Sequence, residues 1–214
     1  MQYVYPPRPK NKIHPTQLPF EEDRKCWLWQ PKYDGDRCVV GIDKGNIYLG
    51  NRHGKWHRSN KFPQIRQSLS GLKLPQGTHV LDAELLPGDI LVLFDVLRFK
   101  EYLLGENQLD RLSLLDDLCG SPNTPCALGL ALHITDHLWL AVRGDADFSS
   151  QFDKISGYRS ESQSGCMSEE AAVGKIVEGL LLRRKDSVLD NFGASAYDVD
   201  WQLRCRCQHK NYRF

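Results

Sequence analysis

Residues 32–37 read Lys32-Tyr33-Asp34-Gly35-Asp36-Arg37, and the interpretation of the whole chain turns on them. On physical grounds the stretch is a strand end carrying a lysine, a turn eased by Gly35, and an arginine entering the next strand. A lysine acts as a nucleophile only when part of it is neutral, which takes desolvation or neighbouring positive charge. Arg37 is near enough in sequence to lower the lysine's proton affinity and to hold an anionic substrate. The same six residues also suit a hairpin turn whose charges are simply solvated, so the choice rests on what accompanies them.

Working outward, residues 26–32 form a short strand. Residues 38–42 and 47–51 flank Asp43-Lys44-Gly45-Asn46, which predicts a hairpin. A second pair of apolar strands, 79–86 and 90–96, surrounds Pro87-Gly88-Asp89. Leu109, Leu112, Leu115 and Leu118 recur every three residues with Asp110, Arg111, Asp116 and Asp117 off the stripe, which predicts an amphipathic helix. Further strands are expected at 130–140, 176–183 and 200–206, a helix at 148–155, and a polar loop at 160–165. Residues 1–24 hold five of the eleven prolines and read as an extended strap over the domain. No internal repeat and no linker divides the chain. The expectation is one α+β domain spanning 1–214, with antiparallel sheets and flanking helices.

The surrounding motifs bear on the choice. Lys-x-Asp-Gly-x-Arg at 32–37 resembles the nucleotidyltransferase motif of ATP-dependent DNA ligases and of their relatives, the mRNA-capping guanylyltransferases. Asn51-Arg52-His53-Gly54 resembles the short Arg-x-Gly motif that follows the first hairpin in that family. Leu81-Asp82-Ala83-Glu84-Leu85 is similar to its Leu-Asp-Gly-Glu-Leu segment, Leu93-Phe94-Asp95-Val96 to its Phe-Asp-Ile strand, and 109–118 to the helix after it. Glu178-Gly179-Leu180-Leu181-Leu182-Arg183 resembles Glu-Gly-Leu-Val-Leu-Lys. Trp201-Gln202-Leu203-Arg204-Cys205-Arg206 sits where a terminal Lys-x-Lys strand is expected. Each motif is short, but their order along residues 32–206 is that of the family.

The resemblance implies an adenylation domain that uses ATP and Mg²⁺. Lys32 would attack the α-phosphate, forming a lysyl-adenylate and releasing pyrophosphate, with Arg204 and Arg206 assisting. Gln30 would read the adenine edge and Phe94 would stack on the base, unless Phe94 is simply a core residue. Arg37 and Glu84 would hold the ribose, Arg52 the sugar or a phosphate, and Arg183 a phosphate. Glu178, with Glu84, would ligate Mg²⁺, a hard cation that takes carboxylate oxygens. Two departures stand out. Arg183, Arg204 and Arg206 replace family lysines, and arginine keeps the charge but not the point-like geometry; Lys210 supplies an amine only if the alignment slips. The family's chains also continue into an oligonucleotide-binding barrel, whereas eight residues follow Arg206 here, so a catalytic domain alone is expected.

Composition adds exclusions. The net charge of +1 provides no global pull toward nucleic acid or membrane, and the apolar run at 90–94 is far short of a membrane span. Basic residues instead gather near both ends and around Arg52, while acidic ones gather between Asp82 and Asp117, which could leave one basic face. Seven cysteines form no CxxC pair; Cys205, Cys207 and His209 are too few for a zinc site, so reduced thiols in a cytoplasmic protein are expected, in a host cytoplasm if the source is viral. The leading expectation is a monomeric ATP-dependent DNA ligase that seals 5′-phosphate/3′-hydroxyl nicks in duplex DNA. RNA ligase, capping-type guanylyltransferase, and an impaired module that binds nucleotide or DNA ends remain alternatives.

Overall fold

The computed structural model describes residues 1–103, 105–165, 167–189 and 193–208, except the side chains of residues 101 and 102. Cys166, His209 and Lys210 therefore lie outside the described residues. In chain order the elements are β1 (Arg8–Lys12), α1 (Leu18–Asp23), β2 (Trp27–Tyr33), β3 (Asp36–Asp43), β4 (Asn46–Asn51), α2 (Pro63–Ser70), β5 (Thr78–Leu86), β6 (Ile90–Phe99) and β7 (Glu101–Tyr102). They continue with α3 (Gln108–Leu118), β8 (Pro125–Cys126), β9 (Ala131–Thr135), β10 (Leu138–Ala141), α4 (Phe148–Gln163), α5 (Glu169–Ile176), β11 (Val177–Arg184) and β12 (Asp198–Arg206).

Two open sheets result. One has the strand order β1-β12-β11-β2; the other runs β4-β3-β5-β6-β10-β9-β8, with β7 beside β6. This is the expected α+β class. The pairings are antiparallel except β1 with β12 and β6 with β10, which are parallel. Local chemistry accounts for the strand ends. Lys44 and Gly45 both take positive φ in the two-residue β3–β4 turn, the geometry that matches the twist of a tight hairpin. The apolar run of β6 is buried along most of its length, as a central strand covered on both faces must be.

Three apolar clusters fill the interior. The largest joins Trp29, Tyr33, Leu180, Leu182 and Leu203 of the small sheet to Val92 and Phe94 of the large one, and to Phe148, Phe152 and Ile155 of α4. A second lies between the large sheet and helices α2 and α3. The third packs Val4 and Trp201 against Val39 and Val80.

Several elements differ from expectation for identifiable reasons. Residues 1–24 are built into the domain rather than laid over it: β1 is a sheet strand, Leu18 is buried, and the Glu22 carboxylate of α1 accepts the backbone N–H of Asp147 (2.7 Å) and Phe148 (2.9 Å) at the start of α4. The expected loop at 160–165 is largely helix. Its serines satisfy their hydroxyls on the helix's own carbonyls, Ser160 on Ser156 and Ser162 on Arg159, so polar side chains cost α4 little. The expected strand at 130–140 is a hairpin, β9–β10, turned at Asp136-His137. In α3, Leu109 is 48% exposed while Arg111 is buried with Leu112, Leu115 and Leu118. A three-residue repeat drifts off a 3.6-residue helix face, and Arg111 takes the inner position because it has a partner there.

That partner is Asp95. Its Oδ1 accepts Arg111 Nε (3.1 Å) and its Oδ2 accepts Arg183 Nη1 (3.0 Å), and all three side chains are fully buried. Burial alone would raise the Asp95 carboxyl, but Arg111 and Arg183 hold it below its ordinary value. The cluster ties β6 to α3 and to β11 of the other sheet. Removing one member of a buried ion cluster leaves uncompensated charge. Asp95→Ala is therefore expected to cost about 3–5 kcal/mol in urea unfolding. A loss below about 1 kcal/mol, the range of exposed pairs, would contradict this role.

Candidate active site

A cavity of about 380 Å³ opens between the two sheets. Its floor is the end of β2 and the turn into β3. Lys32 sits on β2 opposite Gly179 of β11, and Gly179 in turn pairs with Arg206 of β12. This register brings three charged side chains together. Lys32 Nζ donates to Glu178 Oε1, and Arg206 Nη2 lies 3.2 Å from the same oxygen. Glycine is required at 179: its φ is +144°, and a Cβ there would lie 2.1 Å from the Cys205 carbonyl. Gly35 in the turn is similarly constrained, since a Cβ would stand 2.4 Å from the Leu85 carbonyl.

The walls come from the large sheet. Arg37 of β3 is opposite Glu84 of β5. Its guanidinium is engaged by Asp82, with Nε 2.6 Å from Oδ1 and Nη2 donating to Oδ2 and, at 3.2 Å, to the Pro7 carbonyl. Glu84 is pushed up to about 7 by burial, which Arg37 and Lys32 counter only in part. Gln30, buried two residues before Lys32, donates from Nε2 to the Phe94 carbonyl (3.3 Å), while its Oε1 has no partner among the described residues. Two guanidiniums lie near the Phe94 ring, with the Arg37 and Arg183 carbons each 5.3 Å from its centroid.

Of the residues singled out from sequence, Gln30, Lys32, Arg37, Arg52, Glu84, Phe94, Glu178, Arg204 and Arg206 all line this cavity. Arg183 does not. Its side chain is fully buried, with Nη1 3.0 Å from Asp95 Oδ2, and does not reach the cavity wall. Arg8 and Pro9 also line the cavity, Arg8 being one of the basic residues expected near the chain ends, and Asp82 pairs with Arg37. Asp82 was legible in principle, because Asp82 and Glu84 alternate onto one face of a strand. Arg8 and Pro9 were not, since their place depends on a pairing between the two ends of the chain.

Six basic side chains (Arg8, Lys32, Arg37, Arg52, Arg204, Arg206) face four carboxyls (Asp34, Asp36, Glu84, Glu178) around the cavity. The excess of cations suits an anionic ligand, and the volume is that of a small-molecule site. Among the described residues, no group of three or more His, Cys, Asp or Glu side chains converges to hold a metal by itself. No helix among them is long and apolar enough to cross a membrane.

By sequence the chain matches no protein-family model and no curated protein. By structure it is similar to mycobacterial DNA ligase D complexed with ATP, at a TM-score of 0.54 and 19% identity over 84% of this chain and 54% of that one. The ligase domain of DNA ligase D from M. tuberculosis gives 0.54 and 20% over 83% of this chain and 52% of that one. A Lig E DNA ligase gives 0.51 and 13% over 95% of this chain and 69% of that one. The chain thus spans about half the length of the ligase D structures.

Glu84 also sets a pH dependence. Its pKa in the folded protein, about 7, lies above its ordinary 4.5. The native state therefore binds this proton more tightly than the unfolded chain, and the associated stability, fully present below pH 4.5, is lost as pH rises through 7. Glu84→Gln should flatten the fall in urea midpoint across that window. An unchanged slope would show that Glu84 titrates normally. The two open sheets, and the cleft between them that holds Lys32, have the fold of the catalytic domains of ATP-dependent DNA ligases.

Proposed function

We propose that the protein is an ATP-dependent polynucleotide ligase that forms a lysyl-adenylate on Lys32 and seals 5′-phosphate/3′-hydroxyl nicks in duplex DNA. The observation that carries this reading is the position of Lys32, at the floor of a cation-rich cleft and in contact with Glu178, within a fold shared with DNA ligases.

The cavity's chemistry fits the nucleotide. The unpartnered, buried Gln30 Oε1 is an acceptor suited to the amino group of adenine. Phe94, with the Arg37 and Arg183 guanidiniums near its ring, lines the same cavity and offers an aromatic surface for the base. Arg52, Arg204 and Arg206 supply positive charge for phosphates. Glu84 and Glu178 provide the one or two carboxylates with which Mg²⁺ is usually held alongside substrate phosphates. When bound, the metal would help neutralise charge on the transferring phosphorus.

Lys32 attacks only as the free amine, so a proton must leave Nζ, and Glu178 Oε1 is the acceptor already in contact with it. The new P–N bond forms as the bond between the α-phosphorus and its bridging oxygen breaks, and pyrophosphate departs. AMP then passes to the 5′-phosphate of the nick, and the 3′-hydroxyl displaces it. Arg206 shares Glu178 with Lys32 and so helps fix the geometry of both. A second reading, a module that binds nucleotide or DNA ends without turnover, draws on Arg204 and Arg206 standing where family lysines are expected.

Nick sealing separates the two. With ATP and Mg²⁺, the wild type should join a nicked duplex bearing a 5′-phosphate, and Lys32→Ala should not. Arg204→Ala should lower the rate by roughly 10²-fold, as loss of one positioned donor to a reacting phosphate does, with little change in melting temperature. ATP binding with neither adenylation nor sealing would favour the binding module.

A further inference from the structure

Arg8 opens β1, and the segment around it is fastened at several points. Tyr3 Oη donates to the Asn51 carbonyl (2.6 Å), next to Arg52. Tyr5 N–H donates to the Gly193 carbonyl (2.7 Å), and Gly193, at φ +61°, packs so closely that a Cβ would come within 2.6 Å of the Tyr5 carbonyl. The Pro7 carbonyl accepts from Arg37 Nη2 (3.2 Å), and Arg8 N–H donates to the Tyr197 carbonyl (3.1 Å). From there β1 runs parallel to β12, with Lys12 opposite Arg204. The chain's first dozen residues thus pass from the Arg52 turn, past Arg37, to the strand that carries Arg204 and Arg206. Arg8 and Pro9 form part of the cavity wall on that route.

We propose that Arg8 is a phosphate-binding residue of the Lys32 cleft, delivered to it by the pairing of β1 with β12. Its Nε donates to Asp198 Oδ1 at 3.1 Å, and among the described residues neither terminal nitrogen of the guanidinium has a hydrogen-bond partner, so both are donors for a ligand. The Arg8–Asp198 pair is about half exposed on each side. An ion pair so exposed is weak, so phosphate oxygens can compete for the guanidinium. Arginine's planar fork suits two oxygens of one phosphate. The ligand chemistry is a phosphate oxyanion, from either the triphosphate tail of the nucleotide or the backbone of a nucleic-acid strand. The proposal rests on the ligase reading only for which of these it is.

The first measurement is calorimetric titration of the full chain with inorganic tripolyphosphate at physiological salt. Arg8→Ala should weaken binding roughly tenfold, the loss of a charge-assisted contact, and Arg8→Lys should fall between it and the wild type. Lys10→Ala removes the same charge from the same strand outside the cavity wall and should bind like wild type. Two kinetic arms then identify the source. A higher ATP requirement for adenylation of Arg8→Ala assigns the contact to the nucleotide tail. Normal adenylation with slower discharge of the adenylated protein on nicked DNA assigns it to the strand. Equal tripolyphosphate binding by wild type and Arg8→Ala, no binding by wild type, or equal weakening by Lys10→Ala would overturn the proposal. If tripolyphosphate binding depends on Arg8 but the wild type never adenylates, the ligase reading fails and the Arg8 site stands.

Discussion

The structure depends most on one buried carboxylate. Asp95 sits on the central strand of the large sheet and is shared by Arg111 of α3 and Arg183 of β11. Three fully buried charges would be prohibitive if any lacked a partner, and their arrangement leaves little freedom in where the two sheets stand relative to each other. The cleft is the gap that this arrangement fixes. Phe94, the residue before Asp95, is held in the cavity wall close to Arg183. Arg111 extends the linkage by donating to the Glu106 and Ser187 carbonyls, which pins the approach to α3 and the segment after β11.

Arginine at 183 takes on a particular meaning in this setting. A guanidinium stays charged under deep burial far better than an ammonium does, and it can donate to Asp95 while lying near the Phe94 ring. Burial still draws its pKa down, with Asp95 and Asp82 opposing. The departure from the lysine pattern at 183 therefore concerns how the sheets are joined. Arg204 and Arg206 differ in that they reach the cavity itself. Under the proposed function, arginine at those two positions would meet the phosphates.

Much of the site was legible because it is carried by strands whose motifs are local. Lys32, Arg37, Glu84, Glu178 and Arg206 each lie in a run of four to six residues with a readable strand pattern, and sheet register does the rest. Features that depend on distant partners were not legible. Arg111 looks like a surface residue of α3 until Asp95 is known to lie beneath it. Arg183 looks like a phosphate ligand for the same reason. Residues 1–24 look like a proline-rich strap because a parallel pairing between chain ends leaves no trace in local periodicity. Helix α5 leaves little local signal, because its cap, Ser168 accepting from Ala171 N–H, introduces only eight residues. Polar α4 ran longer than expected because its serines bond inward to the helix.

Lys32 Nζ is the atom on which adenylation would be read. Incubation with ATP and Mg²⁺, proteolysis, and mass mapping of the peptides show which side chain carries AMP. A single AMP on Lys32, discharged by added pyrophosphate, is the predicted result. AMP on another residue, or none on Lys32 in protein that pyrophosphate has first stripped of any bound adenylate, would contradict it.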